Sequence, residues 1–433
     1  MMSLLWQRRA SAVLAYLVAL GLWYPSPGLC ADPDESALML ADSALAVAEN
    51  ASDLRAFAEG EYAGATQRDS NASSYGRRLS FDVQYDHSFS PVWRAVFADR
   101  LDANWPKKGS DQNAINTIKE AYLSWRAQPD TILDLGRINV RNGVAIGYNP
   151  TDFFRAGALR SVVSISPASL KENRQGSVMV RFQQLWVGGG MTGMYSPRLS
   201  NHPSQDAFNP DWGATNNQER WLISVSQKFT DNINPQFLIY QEGHLPLQFG
   251  LNLTALTNDA TVVYAEWAGG RSPSLLTQAF QQTAPAIPGD TAFYNRLASG
   301  ITYTTPNKIS LTAELQYNGR GMGKEEWDAL RHGPLVVYSL YRSWAQLAQD
   351  MPTRKMVFFY ATWQDALVNH LDLSAMRSAD IVDSSQRSWL EVRYHIGHFD
   401  YAVQWQRNSG LRFSNFGAVS QMQSWQASLR YYF

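Results

Sequence analysis

The last nine residues of the chain, Trp425 to Phe433, read WQASLRYYF. Every second residue counted back from Phe433 is apolar, whereas three of the four residues between them are polar. Because successive side chains of a β-strand point to opposite faces, this spacing predicts a strand with one apolar and one polar face. Most chain termini are polar and frayed, so this ending indicates a strand that is held in a sheet.

The same alternation recurs along the chain. Four examples are LSFDVQYDHSF at 79–89, RWLISVSQKF at 220–229, ISLTAELQYN at 309–318 and WLEVRYHI at 389–396. We expect the apolar faces to carry Val83, Val225, Leu311 and Val392, and the polar faces to carry Gln84 and Thr312. From Leu54 onward no stretch has about 18 consecutive apolar residues, the length that indicates a membrane-spanning helix. The pattern therefore predicts an all-β protein.

The composition is typical of a strand protein that exposes apolar side chains to lipid. Of the 433 residues, 17% are charged and 12% are aromatic, with 15 Trp and 20 Tyr. In soluble domains about a quarter of all residues are usually charged. The formal net charge of −1 excludes a strongly basic nucleic-acid binder, so we expect no nucleic-acid partner.

The N-terminus predicts a secretory signal peptide over residues 1–30. Arg8 and Arg9 precede a short apolar core, and small residues follow near a cleavage point after Cys30 or Ala31. Removing Arg8 and Arg9 from the 37 basic residues leaves 35 against 38 acidic ones, a charge of −3. Cys30 is the single cysteine, so a disulfide within the chain is excluded. Residues 31–53 are expected to form a short periplasmic segment.

Either a soluble sandwich or a membrane barrel would show alternating strands, and three features favour the barrel over 54–433. The strands reach about ten residues, as tilted membrane strands must. Short turns such as 88–91, 127–130 and 229–235 alternate with long loops at 196–217 and 318–353. Apolar rows end in aromatic residues suited to the membrane interface, namely Trp93, Trp105, Trp125, Trp186, Trp267 and Phe399.

About eighteen segments have the strand pattern, and sixteen is the alternative count. We therefore predict a transmembrane antiparallel up-and-down β-barrel of 16 to 18 strands, a size that leaves an aqueous channel. The terminal strand would pair with the first one, because lipid does not tolerate an unpaired strand edge.

The stretch WQASLRYYF also resembles the C-terminal strand of Gram-negative outer-membrane proteins, which commonly ends in Phe. The resemblance implies an outer-membrane location, with membrane lipid and the assembly machinery as partners. It also implies an assembly signal in the terminal strand, formed by Trp425, Leu429, Tyr431 and Phe433.

One stretch, LDLGRINVRNGVAIGYNPTDFFRAGALRS at 133–161, is broken by glycines after a strand. Its layout of Gly-Arg, Gly and Asn-Pro-x-Asp is similar to that of large porin-like and polysaccharide-export barrels, which implies passage of a solute. It is either a surface loop or, because Phe153 and Phe154 suit water poorly, a loop 137–160 that folds inward and narrows the pore. A second candidate, 318–353, contains a helix at SLYRSWAQLAQD that would form either an outer cap or a plug.

Polar strand faces and the loop 137–160 define what a solute would meet. Rings of one sign set ion preference, but here the signs are mixed, and mutual salt bridges are the alternative to a cationic track. The expected pore-lining or constriction residues are Arg94, Arg100, Asp102, Arg126, Arg137, Arg141, Asp152, Arg155, Arg181, Glu391 and Arg393.

No catalytic or metal-binding motif is evident. The stretch GGGMTG at 188–193 matches a dinucleotide fingerprint in spacing only, and we interpret it as a barrel strand. We expect no cofactor and no metal. The function predicted is an outer-membrane channel for passive passage of small polar or anionic solutes. A conduit that exports a secreted polysaccharide is the alternative, and an outer-membrane enzyme is the third. An oligomer is compatible with all three.

Overall fold

The structure, a computed structural model, describes residues 53–108, 112–204, 206–283 and 291–433. The predicted signal peptide and all but the last residue of the predicted periplasmic segment lie outside these ranges. The first strand begins at Leu54, where the alternating pattern begins in the sequence.

Eighteen strands make up most of the described chain. They are β1 Leu54–Gln67, β2 Ser73–Ser88, β3 Trp93–Lys108, β4 Gln112–Gln128, β5 Thr131–Ile138, β6 Ser177–Trp186, β7 Gly189–Ser196, β8 Arg220–Gln227, β9 Gln236–Glu242, β10 Gln248–Asn258, β11 Thr261–Pro273, β12 Thr291–Thr304, β13 Ile309–Asn318, β14 Lys355–Trp363, β15 Leu371–Asp380, β16 Gln386–Ile396, β17 Phe399–Ser409 and β18 Gln421–Tyr432.

Helices in the described ranges are short and lie in connections between strands. They are α1 Pro167–Glu172, α2 Trp212–Thr215, α3 Leu275–Thr283, α4 Lys324–His332 and α5 Leu335–Leu347. The helix predicted in SLYRSWAQLAQD is present as part of α5. No helix in the described part of the chain has the length and apolar character needed to cross a membrane.

The strands form one closed antiparallel barrel. Each strand pairs with its neighbours in sequence, and β18 pairs with β1 from Phe57 opposite Tyr432 to Gln67 opposite Gln421. The backbone N–H of Phe433 also donates to the carbonyl of Ala56 over 3.0 Å. Closure of this kind leaves no unpaired edge. The predicted barrel is confirmed, and its strand number is eighteen.

The two ends of the barrel differ, as the sequence predicts. The end that holds Leu54 and Phe433, here the terminal end, carries short connections at 89–92, 129–130, 187–188, 228–235, 259–260, 305–308, 364–370 and 397–398. The opposite end, here the loop end, carries long connections at 139–176, 197–219 and 319–354. Short turns at one end and long loops at the other are typical of outer-membrane barrels.

Side chains alternate between the two faces of the wall. In β2, Leu79 and Phe81 are 55% and 45% exposed on the outer face, whereas Ser80 and Asp82 are buried on the inner one. The outer face also holds Leu311 and Val392, as predicted, and Thr312 is buried on the inner face.

Part of the inner wall departs from the expected polar face. The inward positions of β6 to β9 include Met179, Met194, Leu222 and Leu238, all of them buried. These apolar side chains do not face water, because a segment of chain inside the barrel packs against them. The alternation therefore separates the two faces correctly, but the inner face is polar only where no chain segment covers it.

Candidate functional site

The connection between β5 and β6, residues 139–176, is here called the infolded segment. Its backbone and side chains contact inward-facing residues on strands from both sides of the barrel. The contacts explain how a long irregular stretch is held in place, since each buried backbone N–H needs a hydrogen-bond acceptor.

Glu266 on β11 supplies the first of these acceptors. One of its carboxylate oxygens, Oε2, accepts from the backbone N–H of Val144 at 2.9 Å and of Ala145 at 3.1 Å. The other oxygen accepts from the N–H of Thr151 at 2.7 Å and from its hydroxyl at 2.9 Å. The Glu266 side chain is fully buried, so the bonds to backbone N–H groups satisfy a charge that burial would otherwise make costly.

Glu314 on β13 supplies the second set. Its Oε2 accepts from the N–H of Ile146 at 2.9 Å and of Gly147 at 3.2 Å, and its Oε1 accepts from the N–H of Tyr148 at 3.0 Å. The hydroxyl of Tyr264 donates to the same carboxylate over 2.9 Å. Two carboxylates from the wall therefore hold the turn-rich half of the infolded segment.

Two glycines allow this close approach. Gly143 has φ of +103°, and a Cβ there would lie 2.7 Å from Oε2 of Glu266. At Gly147 a Cβ would lie 2.6 Å from Cγ of Phe358, a ring on the inner wall. The glycines that break the strand pattern in the sequence are thus required where the segment meets the wall.

Two aromatic side chains fix the middle of the segment. Phe153 stacks on Tyr240 with ring centroids 4.4 Å apart, and Phe154 meets the same ring edge-on at 6.1 Å. Both phenylalanines are buried against the apolar part of the inner wall. The sequence-based inference that these residues avoid water is therefore confirmed.

Asp350 joins the infolded segment to a second long connection, 319–354. Its carboxylate lies 3.0 Å from Nη2 of Arg155 and 2.5 Å from Nη2 of Arg320. The hydroxyl of Tyr148 donates to it over 2.7 Å. The N–H of Gly157 adds a backbone bond of 3.0 Å to the carbonyl of Leu347, so charge and backbone pairing both connect the two segments.

Charge complementarity sets the protonation of this cluster. Burial alone would raise the pKa of the Asp350 carboxyl, but the guanidinium groups of Arg155, Arg320 and Arg296 outweigh it and hold that pKa well below its usual range. Burial, assisted by the Asp350 charge, raises the pKa of Tyr148. At neutral pH Asp350 is therefore an ionised carboxylate, and its partners are the neutral phenol of Tyr148 and cationic guanidinium groups.

The far side of the infolded segment reaches the wall at β2, β17 and β18. The carbonyl of Val163 accepts from Nε2 of Gln426 at 3.3 Å, and the hydroxyl of Ser164 donates to Gln404 at 3.0 Å. Contacts on opposite walls show that the segment runs across the interior of the barrel. The predicted inward placement agrees with these contacts, while its role as a constriction stays a prediction.

The predicted site residues of the infolded segment and of β5 are placed differently from one another. Arg155 pairs with Asp350, and Asp152 pairs with Arg174 at 2.5 Å. Arg137 donates to the carbonyl of Pro210 at 2.5 Å and lies over the ring of Trp212. Arg141 is exposed, and within the described ranges it has no ion pair.

Several wall residues that the sequence points to are bound to one another. Arg100 and Asp102 lie 3.0 Å apart and are 2% and 0% exposed, in a cluster that includes Glu59 and Asp82. A set of less buried ion pairs joins Arg94 to Asp86, Arg181 to Asp134 and Arg393 to Glu391. Arg126 is exposed near the terminal end. The mutual salt bridges, which the sequence analysis gave as the alternative to a cationic track, are thus present. A pore-lining role for these residues stays a prediction.

Sequence reasoning did not single out Glu266 and Asp350, two of the acids that hold the infolded segment. Glu266, the sole acid of β11, occupies an inward position in an apolar strand, which is a signal that could have been used. Asp350 lies in a connection that was singled out only for its helix. Within the described residues no three His, Cys, Asp or Glu side chains are grouped so as to hold a metal ion.

Comparisons with known proteins identify the fold. No protein-family model matches the chain, and no curated protein matches it by sequence. Among solved structures, OccAB1 of Acinetobacter baumannii has 11% identity and a TM-score of 0.56, with 88% of this chain and 96% of that chain covered. OccK2 (OpdF) of Pseudomonas aeruginosa in complex with glucuronate has 10% identity and a TM-score of 0.55, with 88% and 98% covered.

A third solved structure is the outer membrane protein OpdK of Pseudomonas aeruginosa, with 8% identity and a TM-score of 0.53 over 88% of this chain and 99% of that chain. At such low identity the likeness concerns the fold. The chain has the fold of Gram-negative outer-membrane porins, a closed barrel of eighteen antiparallel strands.

Proposed function

We propose that this protein is a passive channel of the outer membrane for small polar or anionic solutes. The observation that carries the proposal is a segment that runs across the barrel interior and is bonded to opposite walls. Such a segment narrows the aqueous interior of the barrel but does not close it as a separate plug domain would. The solved structure of OccK2, which is similar in fold, contains glucuronate, a small anion, and this supports the same solute class.

An exposed cation of the infolded segment supports a preference for anions. Residues 139–176 contain five cationic side chains and two acidic ones, a formal charge of +3, which the carboxylates of Glu266, Glu314 and Asp350 offset. Low-dielectric walls strengthen the field of each charge in a narrow passage. Arg155 and Arg174 are neutralised by carboxylates, and Arg160 donates to the backbone carbonyls of Asn209 and Asp206. Arg141, which is exposed, is therefore the arginine that we expect to act on a passing ion.

The test is electrical recording from the purified protein in a planar bilayer. We expect a steady conductance, a reversal potential that indicates anion preference in a salt gradient, and a change in current when glucuronate is added. Arg141→Glu should shift the reversal potential towards cation preference.

The matched control is Arg198→Glu, which makes the same charge change at an exposed arginine in the connection 197–219. The control should leave ion preference unchanged. A correctly folded protein that gives no conductance would remove the channel proposal, and equal shifts for both variants would remove the role of Arg141.

A further inference from the structure

Two arginines on the outer face of the barrel lie in one row across three strands. Arg377 of β15 is directly opposite Ser388 of β16, and Ser388 is directly opposite Arg407 of β17. Adjacent strands are about 4.8 Å apart, so the two guanidinium groups can approach one ligand between them. Both arginines are exposed. Arg377 donates to Gln386, and in the described part of the chain neither arginine has a carboxylate partner.

An apolar cavity of about 600 Å³ lies on the same face, directly next to this row. Its floor is formed by small side chains, and its rim by large exposed ones. The floor includes Ala313, Ala361 and Ala375, and the rim includes the exposed Tyr303, Leu311, Phe359 and Leu390 together with the half-buried Trp405. Because the floor side chains are small, a groove remains between the large lipid-facing side chains, and a flexible hydrocarbon chain can fill it.

Aromatic side chains place the arginine row at the level of lipid headgroups. Trp405 and Trp425 are opposite each other one step below the row, and Tyr62 and Tyr75 continue the same band around the barrel. Aromatic bands of this kind mark the membrane interface. The row lies towards the loop end, so its ligand belongs to the membrane leaflet on that side.

Outward-facing basic residues also collect at this level. Arg77, Arg271 and Lys355 lie near the loop end of their strands, as Arg377 and Arg407 do, and all are exposed. Arg377 and Arg407 are distinguished from the other three by the groove beside them. A band of basic residues above an apolar groove complements a molecule with a phosphate at one end and hydrocarbon at the other.

We propose that this face binds one phosphorylated, acylated lipid of the loop-side leaflet. Its phosphate is held between Arg377 and Arg407, with the Ser388 hydroxyl as a further donor, and one acyl chain fills the groove below. Guanidinium groups suit phosphate because they donate two parallel charge-assisted hydrogen bonds. The site goes beyond the proposed channel function, because it faces lipid and requires no passage of solute.

The test is native mass spectrometry of the purified, folded protein with defined lipids added. The probes are diphosphorylated lipid A, the same lipid with its phosphates removed, phosphatidylethanolamine and inorganic phosphate. We expect retention of one lipid A molecule per barrel. Losing two guanidinium–phosphate pairs in Arg377→Gln/Arg407→Gln should weaken binding by about tenfold or more.

Two further variants complete the test. Arg271→Gln removes one positive charge from the same band of basic residues, away from the groove. This variant should bind lipid A as the unmodified protein does. Ala361→Phe fills the groove with apolar volume that the lipid face tolerates, and should weaken binding with both arginines retained. Comparable binding by the double variant or by the dephosphorylated lipid would overturn the proposal. So would displacement of the lipid by millimolar phosphate, which would indicate a site for free anions.

Discussion

The carboxylate of Asp350 and the guanidinium of Arg155, 3.0 Å apart, join two segments that enter the barrel from different places in the sequence. One is the infolded segment between β5 and β6, and the other follows α5. Both side chains are buried, with 1% and 8% of their side-chain surface exposed. The interior arrangement therefore depends on an ion pair that neither segment could form alone.

Asp350→Asn tests this dependence. The substitution leaves Arg155 and Arg320 buried without their carboxylate, a change that typically costs about 3–5 kcal/mol. Because the barrel wall keeps its own hydrogen bonds, we expect the infolded segment to loosen while the barrel stays closed. Limited proteolysis of 139–176 and channel conductance should both increase.

Asp365→Asn is the matched control for that substitution. Asp365 pairs with Lys308 over 2.5 Å at the terminal end, where both side chains are accessible to water. Exposed pairs contribute little, so proteolysis and conductance should stay unchanged. If the Asp350 variant behaved like this control, the ion pair would not hold the segment.

The pH dependence follows from the depressed pKa of Asp350. A carboxyl with a lowered folded pKa stabilises the structure above its unfolded pKa of about 3.9, and the contribution is lost as pH falls below that value. Lowering the pH from 7 to about 5 should therefore leave the segment resistant to protease. Sensitivity should rise only under more acidic conditions. A rise between pH 7 and 5 would show that another group controls the segment.

Gly147→Ala tests the close contact with the wall. The added methyl group would lie 2.6 Å from a ring carbon of Phe358, and such overpacking costs about 1–3 kcal/mol. We expect greater protease sensitivity of the infolded segment. Gly193→Ala is the control, since nothing lies within 4 Å of the Cβ position there. Equal behaviour of the two variants would place Gly147 outside the packed interface.

Val392→Arg tests the outer face. Val392 is 47% exposed and lies between the levels of Trp405 and Tyr401, where a charge facing lipid costs about 2–4 kcal/mol. The unfolding free energy in bilayers should fall by that amount. Gln84→Arg on the inner face is the control and should have a smaller effect. Thr312 is unsuitable as a control because it is buried against Thr302 at 2.8 Å.

Phe433→Asp tests the predicted assembly signal. The Phe433 ring contacts Phe81 and Tyr431 with centroids 6.2 Å and 5.2 Å apart on the outer face. A carboxylate there would meet lipid and lose both contacts. The fraction of protein that reaches the heat-resistant folded form in the membrane should fall, whereas Phe433→Tyr should retain it. Full assembly of the Asp variant would refute a signalling role for this position.

The sequence by itself determined the barrel, its closure and the difference between its two ends. Strand periodicity is local, so the alternation around Leu79 or Val392 is readable from neighbouring residues. The glycines at 143 and 147 and the pair Phe153 and Phe154 also indicated that this stretch leaves the wall and avoids water.

Only the tertiary structure decided what the interior contains. Glu266 and Glu314 lie more than a hundred residues from the backbone N–H groups that they hold, and Arg155 is similarly distant from Asp350. No local pattern encodes such pairings, because they depend on which inward positions a crossing segment meets. For the same reason the row formed by Arg377, Ser388 and Arg407 appears only when strand register brings three separate strands together.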